Sequence, residues 1–202
     1  MGQEDSHMPA QGEFRGTKRI LLVNGPPASG KTSVALEVVG LLHLPFLSLD
    51  TVKEQLFDYL GTGNREYNRL LGRTSLAIIW SLIADFPQGG AVTVEAWFGS
   101  PPREFVIEGL HRAGAGVVAE LWCHASAEVL ASRYVERAGR RHPGHPDEEY
   151  APELLEVSAR ASPLAVSPVL SVDTTDLPGV DIRRVARWVA EVLGLSSPPF
   201  DA

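Results

Sequence analysis

Arg19-Ile20-Leu21-Leu22-Val23-Asn24-Gly25-Pro26-Pro27-Ala28-Ser29-Gly30-Lys31-Thr32 runs a short apolar segment straight into a G-x-x-x-x-G-K-T loop. Four consecutive branched or large apolar residues suit a strand buried on both faces, and the stretch 31–42 that follows carries the pattern of a helix. A loop of this composition between a strand and a helix gathers backbone N–H groups around an anion. Gly25 and Gly30 free the chain for close approaches that a Cβ would obstruct. The helix start adds the positive end of its dipole. The string 25–33 is therefore expected to bind the phosphates of a nucleoside triphosphate. Lys31 reaches the terminal phosphates, the Thr32 hydroxyl ligates Mg²⁺, and Ser33 sits beside them in the first turn.

Working outward, apolar runs of strand length (20–24, 46–49, 91–96, 117–123 and 169–172) alternate with helical patterns (31–42, 51–60, 65–85, 103–113, 127–138, 148–161 and 181–193). Such alternation predicts an α/β three-layer sandwich, a five-stranded parallel sheet with helices on both faces. In sheets of this kind the ligand sits beyond the carboxyl ends of the strands, which makes strand-end polar residues the candidates for chemistry. The 202 residues, 44% of them hydrophobic, suit one folded unit over 19–195, with a polar leader over 1–18 and a loose tail over 196–202.

Charge and cysteine usage limit the function classes. The net charge of −7 disfavours a general nucleic-acid surface. Cys123 is the one cysteine and lies in an apolar run, so it reads as a buried strand residue rather than a nucleophile, and no intrachain disulfide can form. No run approaches the ~20 apolar residues that span a bilayer. A cytoplasmic location without membrane attachment is the expectation.

Two further residues pass the strand-end filter, and an arginine-rich cluster and a helix face join them as candidates. Asp50 follows the second strand, where a carboxylate either takes the proton of an attacking hydroxyl or caps the helix after it. Glu95 ends the third strand, where a buried carboxylate needs a metal-linked water, a substrate hydroxyl or an arginine. Trp97 and Phe98 beyond it form either an acceptor wall or plain core. In 133–147, Arg133 and Arg137 stand four apart on one helix face, and Arg140, Arg141, His142 and His145 lie in a Gly/Pro-rich continuation that cannot stay helical. Guanidinium groups on a mobile flap suit phosphoryl transfer. The two histidines read as substrate contacts or loop structure rather than metal ligands. Arg65, Arg69 and Arg73, at i, i+4 spacing, either line an acceptor site or form a solvated face.

The phosphate loop, Leu49-Asp50-Thr51-Val52-Lys53-Glu54, the arginine-bearing segment 133–147 and Val172-Asp173-Thr174-Thr175 together resemble the P-loop kinases of the chloramphenicol phosphotransferase-like, zeta-toxin-like and polynucleotide-kinase-like group. The resemblance spans 19 to about 195. It implies an ATP-dependent kinase, with GTP as the other possible donor, acting on a hydroxyl of a small molecule such as a metabolite or antibiotic. In this reading Asp50 is the general base, and Lys31, Arg133 and Arg137 act on the transferred group. Lys53, Glu95, Trp97, Arg140, Arg141, His142 and His145 serve the acceptor, and Asp173 and Thr174 lie beside the adenine. A polynucleotide 5′-hydroxyl kinase and a nucleotide-sugar kinase belong to the same group, and a nucleotide-dependent switch or hydrolase is the reading from another class. Where relatives carry Asp in a D-x-x-F pattern, this chain has Glu95-Ala96-Trp97-Phe98.

Overall fold

Ile20 and Leu22 point to one side of the first strand and Leu21 and Val23 to the other, and all four are fully buried. A strand apolar on both faces must lie between two helical layers. The computed structural model, which describes residues 14–196, shows that arrangement. Five parallel strands, β1 (Lys18–Asn24), β2 (Phe46–Ser48), β3 (Ala91–Glu95), β4 (Ala115–His124) and β5 (Val169–Asp173), are ordered β2-β3-β1-β4-β5. Seven helices cover them among the described residues: α1 (Lys31–Leu42), α2 (Leu49–Leu60), α3 (Arg65–Ala84), α4 (Arg103–Ala113), α5 (Ala127–Ala138), α6 (Ala151–Arg160) and α7 (Ile182–Leu193).

Ile20 and Leu22 pack with Val92 and Val94 of β3 under Leu76, Ile79 and Trp80 of α3 and Val106 and Leu110 of α4. Leu21 and Val23 pack with Leu121 and Cys123 under Val34 and Val38 of α1 and Val185 and Val189 of α7. A third, small cluster joins Ala28 of the phosphate loop to Tyr134 of α5 and Leu154 of α6.

The register aligns the carboxyl ends of the strands. Val23 pairs with Glu95, Ser48 also pairs with Glu95, Asn24 pairs with Trp122, and His124 pairs with Asp173. The order reverses at β1, whose two neighbours β3 and β4 lie to either side of the loop that leaves it, so the phosphate loop occupies the crevice expected at such a switch point.

Several boundaries differ from the sequence expectation. Lys18, assigned to the leader, opens β1; it is buried, and its Nζ donates to the Ala84 carbonyl at 2.7 Å, closing the C-terminus of α3. Phe14 packs against the core and the Gly16 amide donates to the Ala115 carbonyl, so the ordered chain begins ahead of position 19. Residues 1–13 of the leader and 197–202 of the tail lie outside the described residues. The second strand stops at Ser48, so Asp50 is the second residue of α2 rather than the end of a strand. Ser48 is the N-cap, yet its hydroxyl caps nothing, because it donates to Glu95 Oε2 at 2.7 Å. Residues 148–150 form a separate 3₁₀ turn ahead of α6.

Candidate active site

Gly25 and Gly30 take φ of 154° and 73°, and Ala28 joins them in the left-handed region at 65°. A Cβ on Gly25 would stand 2.2 Å from the Cys123 carbonyl oxygen, so β4 fixes that position as glycine. The first helical bond of α1 runs from the Val34 amide to the Gly30 carbonyl, and the N-cap Gly30 has no side chain to offer. The amides of Lys31, Thr32 and Ser33 thus precede the hydrogen-bonded ladder at an uncapped, positive helix end. The Ser29 hydroxyl is fully buried and finds no partner among the described residues. Such a cradle fits an anion.

Around it, Glu95 is buried and gathers three groups. Its Oε1 lies 3.5 Å from Lys31 Nζ and 3.3 Å from Thr32 Oγ1, and its Oε2 accepts from Ser48. The carboxylate thus stands at the hydroxyl expected to hold Mg²⁺ while lining the shared cavity. An acid of this kind beside Thr32 suits a hard cation that keeps several of its waters.

Asp50 projects from the first turn of α2, with its side chain 45% exposed. Arg141 Nη2 approaches its Oδ2 at 3.4 Å. Burial alone would raise the Asp50 carboxyl, but the charges of Lys31, Arg141 and Lys53 outweigh it and hold the group below its ordinary value. Lys53 in turn is pulled down by burial, and its Nζ donates to Asn68 Oδ1 at 2.6 Å.

The Gly/Pro-rich segment expected to be a mobile flap is folded onto α2 and α3. His142 stacks on Phe57 with ring centroids 5.3 Å apart, and its Nε2 lies 3.1 Å from Asp58. Asn68 Nδ2 donates to the Gly144 carbonyl at 2.5 Å, and the Tyr134 hydroxyl donates to the Pro146 carbonyl at 2.7 Å. His145 is buried between Glu54 Oε1, 2.8 Å from its Nε2, and Arg141 Nη2, 3.0 Å from its Nδ1. Arginine can only donate, so Nδ1 accepts and the proton sits on Nε2, toward Glu54. Burial pushes the His145 imidazole below its usual value, against the pull of Asp50.

A single cavity of about 800 Å³ joins these parts. Pro27, Ala28, Lys31 and Thr32 of the phosphate loop line it together with Asp50, Lys53, Glu95, Trp97 and the exposed side chains of Arg69 and Arg73. Arg137 of α5, and Arg141 and His145 of the segment that follows it, line the cavity too.

Residues 20–160 match a family model described as an AAA domain. The chain belongs to the AAA domain family. Among solved structures it is similar to a putative kinase from Chloroflexus aurantiacus, at 33% identity and a TM-score of 0.78, over 88% of this chain and 99% of the other. A shikimate kinase from Bacteroides thetaiotaomicron, at 22% identity and a TM-score of 0.57 over 88% of this chain and 98% of its own, shares the fold. A cytidylate kinase from Pyrobaculum neutrophilum is 31% identical over 121 residues, 56% of this chain and 58% of the relative. The chain spans about a quarter of the mycobacterial curated relatives it matches, 26% of their length. The fold is that of P-loop kinases.

Within this frame the structure brings most of the expected residues together and separates others. Lys31, Thr32, Asp50, Lys53, Glu95, Trp97, Arg137, Arg141 and His145 share the cavity. Arg133 does not line it: its Nη2 donates to the Thr174 carbonyl at 2.8 Å and lies 3.3 Å from that of Thr175, one helical turn from Arg137 but on the β5 side. Arg140 is exposed outside the cavity, because α5 ends at Ala138 and the following turn swings its side chain away. His142 serves the packing of the lid on Phe57 rather than the cavity wall. Phe98 is buried core. Thr174 lies beneath the phosphate loop, its Oγ1 2.7 Å from the Ser29 carbonyl, while Asp173 accepts from the Thr175 amide in a surface turn. Cys123 is buried, and burial pushes its thiol up to about 12, which leaves it inert as a nucleophile. Among the described residues no helix is long and apolar enough to cross a membrane.

Sequence reasoning missed two things. Arg69 and Arg73, left between an acceptor role and a solvated face, line the cavity. Glu120, unremarkable in an apolar strand, is fully buried and accepts from Asn24 Nδ2 at 2.7 Å, the Leu164 amide at 2.8 Å and the Ala165 amide at 2.9 Å. Asn24 Oδ1 accepts in turn from the amides of Gly25 and Phe98 at 2.8 and 3.0 Å.

Proposed function

We propose that this chain is a phosphotransferase that moves the γ-phosphoryl group of ATP to a hydroxyl of a small molecule. One observation carries the reading: the phosphate cradle and the polar side chains of Lys53, Arg69, Arg73 and Arg141 line one cavity, with the ionised, half-exposed carboxylate of Asp50 among them. The amides of 28–33 and Lys31 hold the β- and γ-phosphates, and Thr32 with Glu95 holds Mg²⁺, which when bound neutralises charge on the phosphates. Asp50 accepts the proton of the acceptor hydroxyl. The acceptor oxygen bonds to the γ-phosphorus as the bond from that phosphorus to the β–γ bridging oxygen breaks, and ADP leaves with that oxygen. Arg137 and Arg141 stabilise the charge on the transferring group and exclude water. Arg133 and Asp173 serve the base end of the nucleotide site, and Thr174 braces the phosphate loop from below. The lid closes over α2 and α3 and leaves a chamber sized for a metabolite, which favours a small acceptor over a polynucleotide.

The test is transfer from γ-labelled ATP to a fractionated pool of hydroxyl-bearing metabolites, with the labelled product identified by mass spectrometry. Asp50→Asn is expected to lower kcat by roughly 10²–10⁴-fold, the range for a general base, with nucleotide affinity unchanged. ATP hydrolysis indifferent to every added alcohol, or an Asp50→Asn enzyme at wild-type rate, overturns the reading.

A further inference from the structure

The whole chain carries a net charge of −7, yet the cavity is lined by seven Lys and Arg side chains against three Asp and Glu. Most of that positive charge is already committed. Lys31 pairs with Glu95, Arg141 with Asp50, and Arg65 with Glu153, while Lys53 donates to Asn68. Arg137 is assigned above to the transferring group. Arg69 and Arg73 remain: both line the cavity from an exposed stretch of α3, and neither forms an ion pair among the described residues. Glu153, the acid whose field reaches Arg69, is held by Arg65.

The two arginines are one turn apart on α3, about 6 Å along the helix axis at 1.5 Å per residue, so they occupy the same face. Like charges at this spacing repel, and an oxyanion between them removes the repulsion. Guanidinium groups present planar, paired donors that match a carboxylate or phosphate in two-point fashion. Gly72, between them in sequence, lies on the Lys53 side: a Cβ there would approach Lys53 Cε and Nζ at 3.9 Å. Lys53, whose charge acts on Asp50, thus stands against the same turn of α3 that carries the arginines.

We infer that the acceptor is an oxyanion as well as an alcohol: Arg69 and Arg73 hold a carboxylate or phosphate group at the α3 wall of the cavity while a hydroxyl of the same molecule reaches Asp50. The inference rests on the phosphotransfer reading above and deepens it. The charge that the arginines bind is not the group attacked. It anchors the acceptor, supplies selection against neutral alcohols, and sets the reach between the anchored anion and the transferred oxygen.

The experiment uses the full chain, Mg²⁺ and γ-labelled ATP with a metabolite extract split on an anion exchanger into retained and unretained fractions. Label is expected to enter only the retained fraction, as a phosphomonoester on a hydroxyl. Treating that fraction with phosphatase, removed before the assay, abolishes labelling if the anchoring group is a phosphate and spares it if the group is a carboxylate. Arg69→Gln and Arg73→Gln are each expected to raise the acceptor KM at least tenfold, with kcat changed less than threefold and the KM for ATP unchanged. Labelling confined to the unretained fraction, label found in a phosphoanhydride, or variants with unaltered acceptor KM overturns the inference. If neither fraction is labelled, the phosphotransfer reading fails. The anion site is then decided by calorimetric titration of inorganic phosphate into the chain saturated with a non-hydrolysable ATP analogue, where equal affinity of wild type and Arg73→Gln overturns it.

Discussion

Replacing Glu120 by Gln changes one atom and tests how the site is held. The carboxylate is fully buried and meets three donors: Oε1 takes Asn24 Nδ2 and the Leu164 amide, and Oε2 takes the Ala165 amide. Asn24 cannot turn over to suit a new partner, because its own Oδ1 is occupied by the Gly25 and Phe98 amides. A glutamine therefore places its oxygen where Oε1 was, to keep two bonds, and its NH₂ opposite the Ala165 amide at 2.9 Å, donor against donor. One buried N–H loses its acceptor, a loss that costs about 1–3 kcal/mol. Relief of the buried charge offsets little, since a carboxylate with three donors is already compensated. In a domain of this size each kcal/mol moves Tm by about 2–4 °C, so Tm should fall by roughly 2–12 °C. Differential scanning calorimetry of wild type and Glu120→Gln reads the shift directly. A Tm equal to or above wild type would falsify the account of Glu120 as an acceptor-only hub. Because Asn24 ties this hub to the first glycine of the phosphate loop and to Phe98 behind the acceptor wall, the variant should also bind nucleotide less tightly at temperatures well below its Tm.

Two further outcomes follow from the lid. A Cβ on Gly144 would stand 2.4–2.6 Å from Phe57 ring atoms, so Gly144→Ala should lift the segment off α2 and raise the acceptor KM, while Gly139→Ala, where a Cβ meets nothing within 4 Å, should leave it alone; equal effects of the two would refute the docking. His145 is held neutral by burial, and its unfolded value near 6.5 lies above its folded one. The stability it lends the lid is full above about pH 6.5 and declines as pH falls below it, because the unfolded or undocked state takes up the proton first. An acid limb in kcat/KM beginning near pH 6.5, absent in His145→Gln, is the expected profile, and a limb unchanged in that variant would assign it to another group.

The parts of this molecule that a reader of the sequence can find are those whose cause is local. The phosphate loop is one: its glycines, lysine and threonine act within eight residues, and the apolar run before it states the strand. Glu95 was marked for the same reason, as an acid ending a buried strand. Its partner was not legible, because the pairing of Val23 with Glu95 that sets the carboxylate beside Thr32 arises from sheet order. Arg133 and Arg137 show the limit of helical spacing. They share a face, yet one end of that face looks onto the Thr174 carbonyl and the other over the cavity, a division made by β5 and not by α5. Glu120 carried no local mark at all, since its partners lie 44, 45 and 96 residues away. Arg69 and Arg73 stand between these cases. Their spacing announced a charged face, but whether that face met water or a substrate depended on where the β3–α4 loop and α6 came to rest. Trp97 from the one, Glu153 from the other and Tyr150 just ahead of it line the same cavity as the two arginines, which themselves stay exposed. Convergence on one cavity, and not burial, is what separates these two exposed cations from a merely solvated face, since a cleft lined mainly by one sign of charge focuses its field on a ligand.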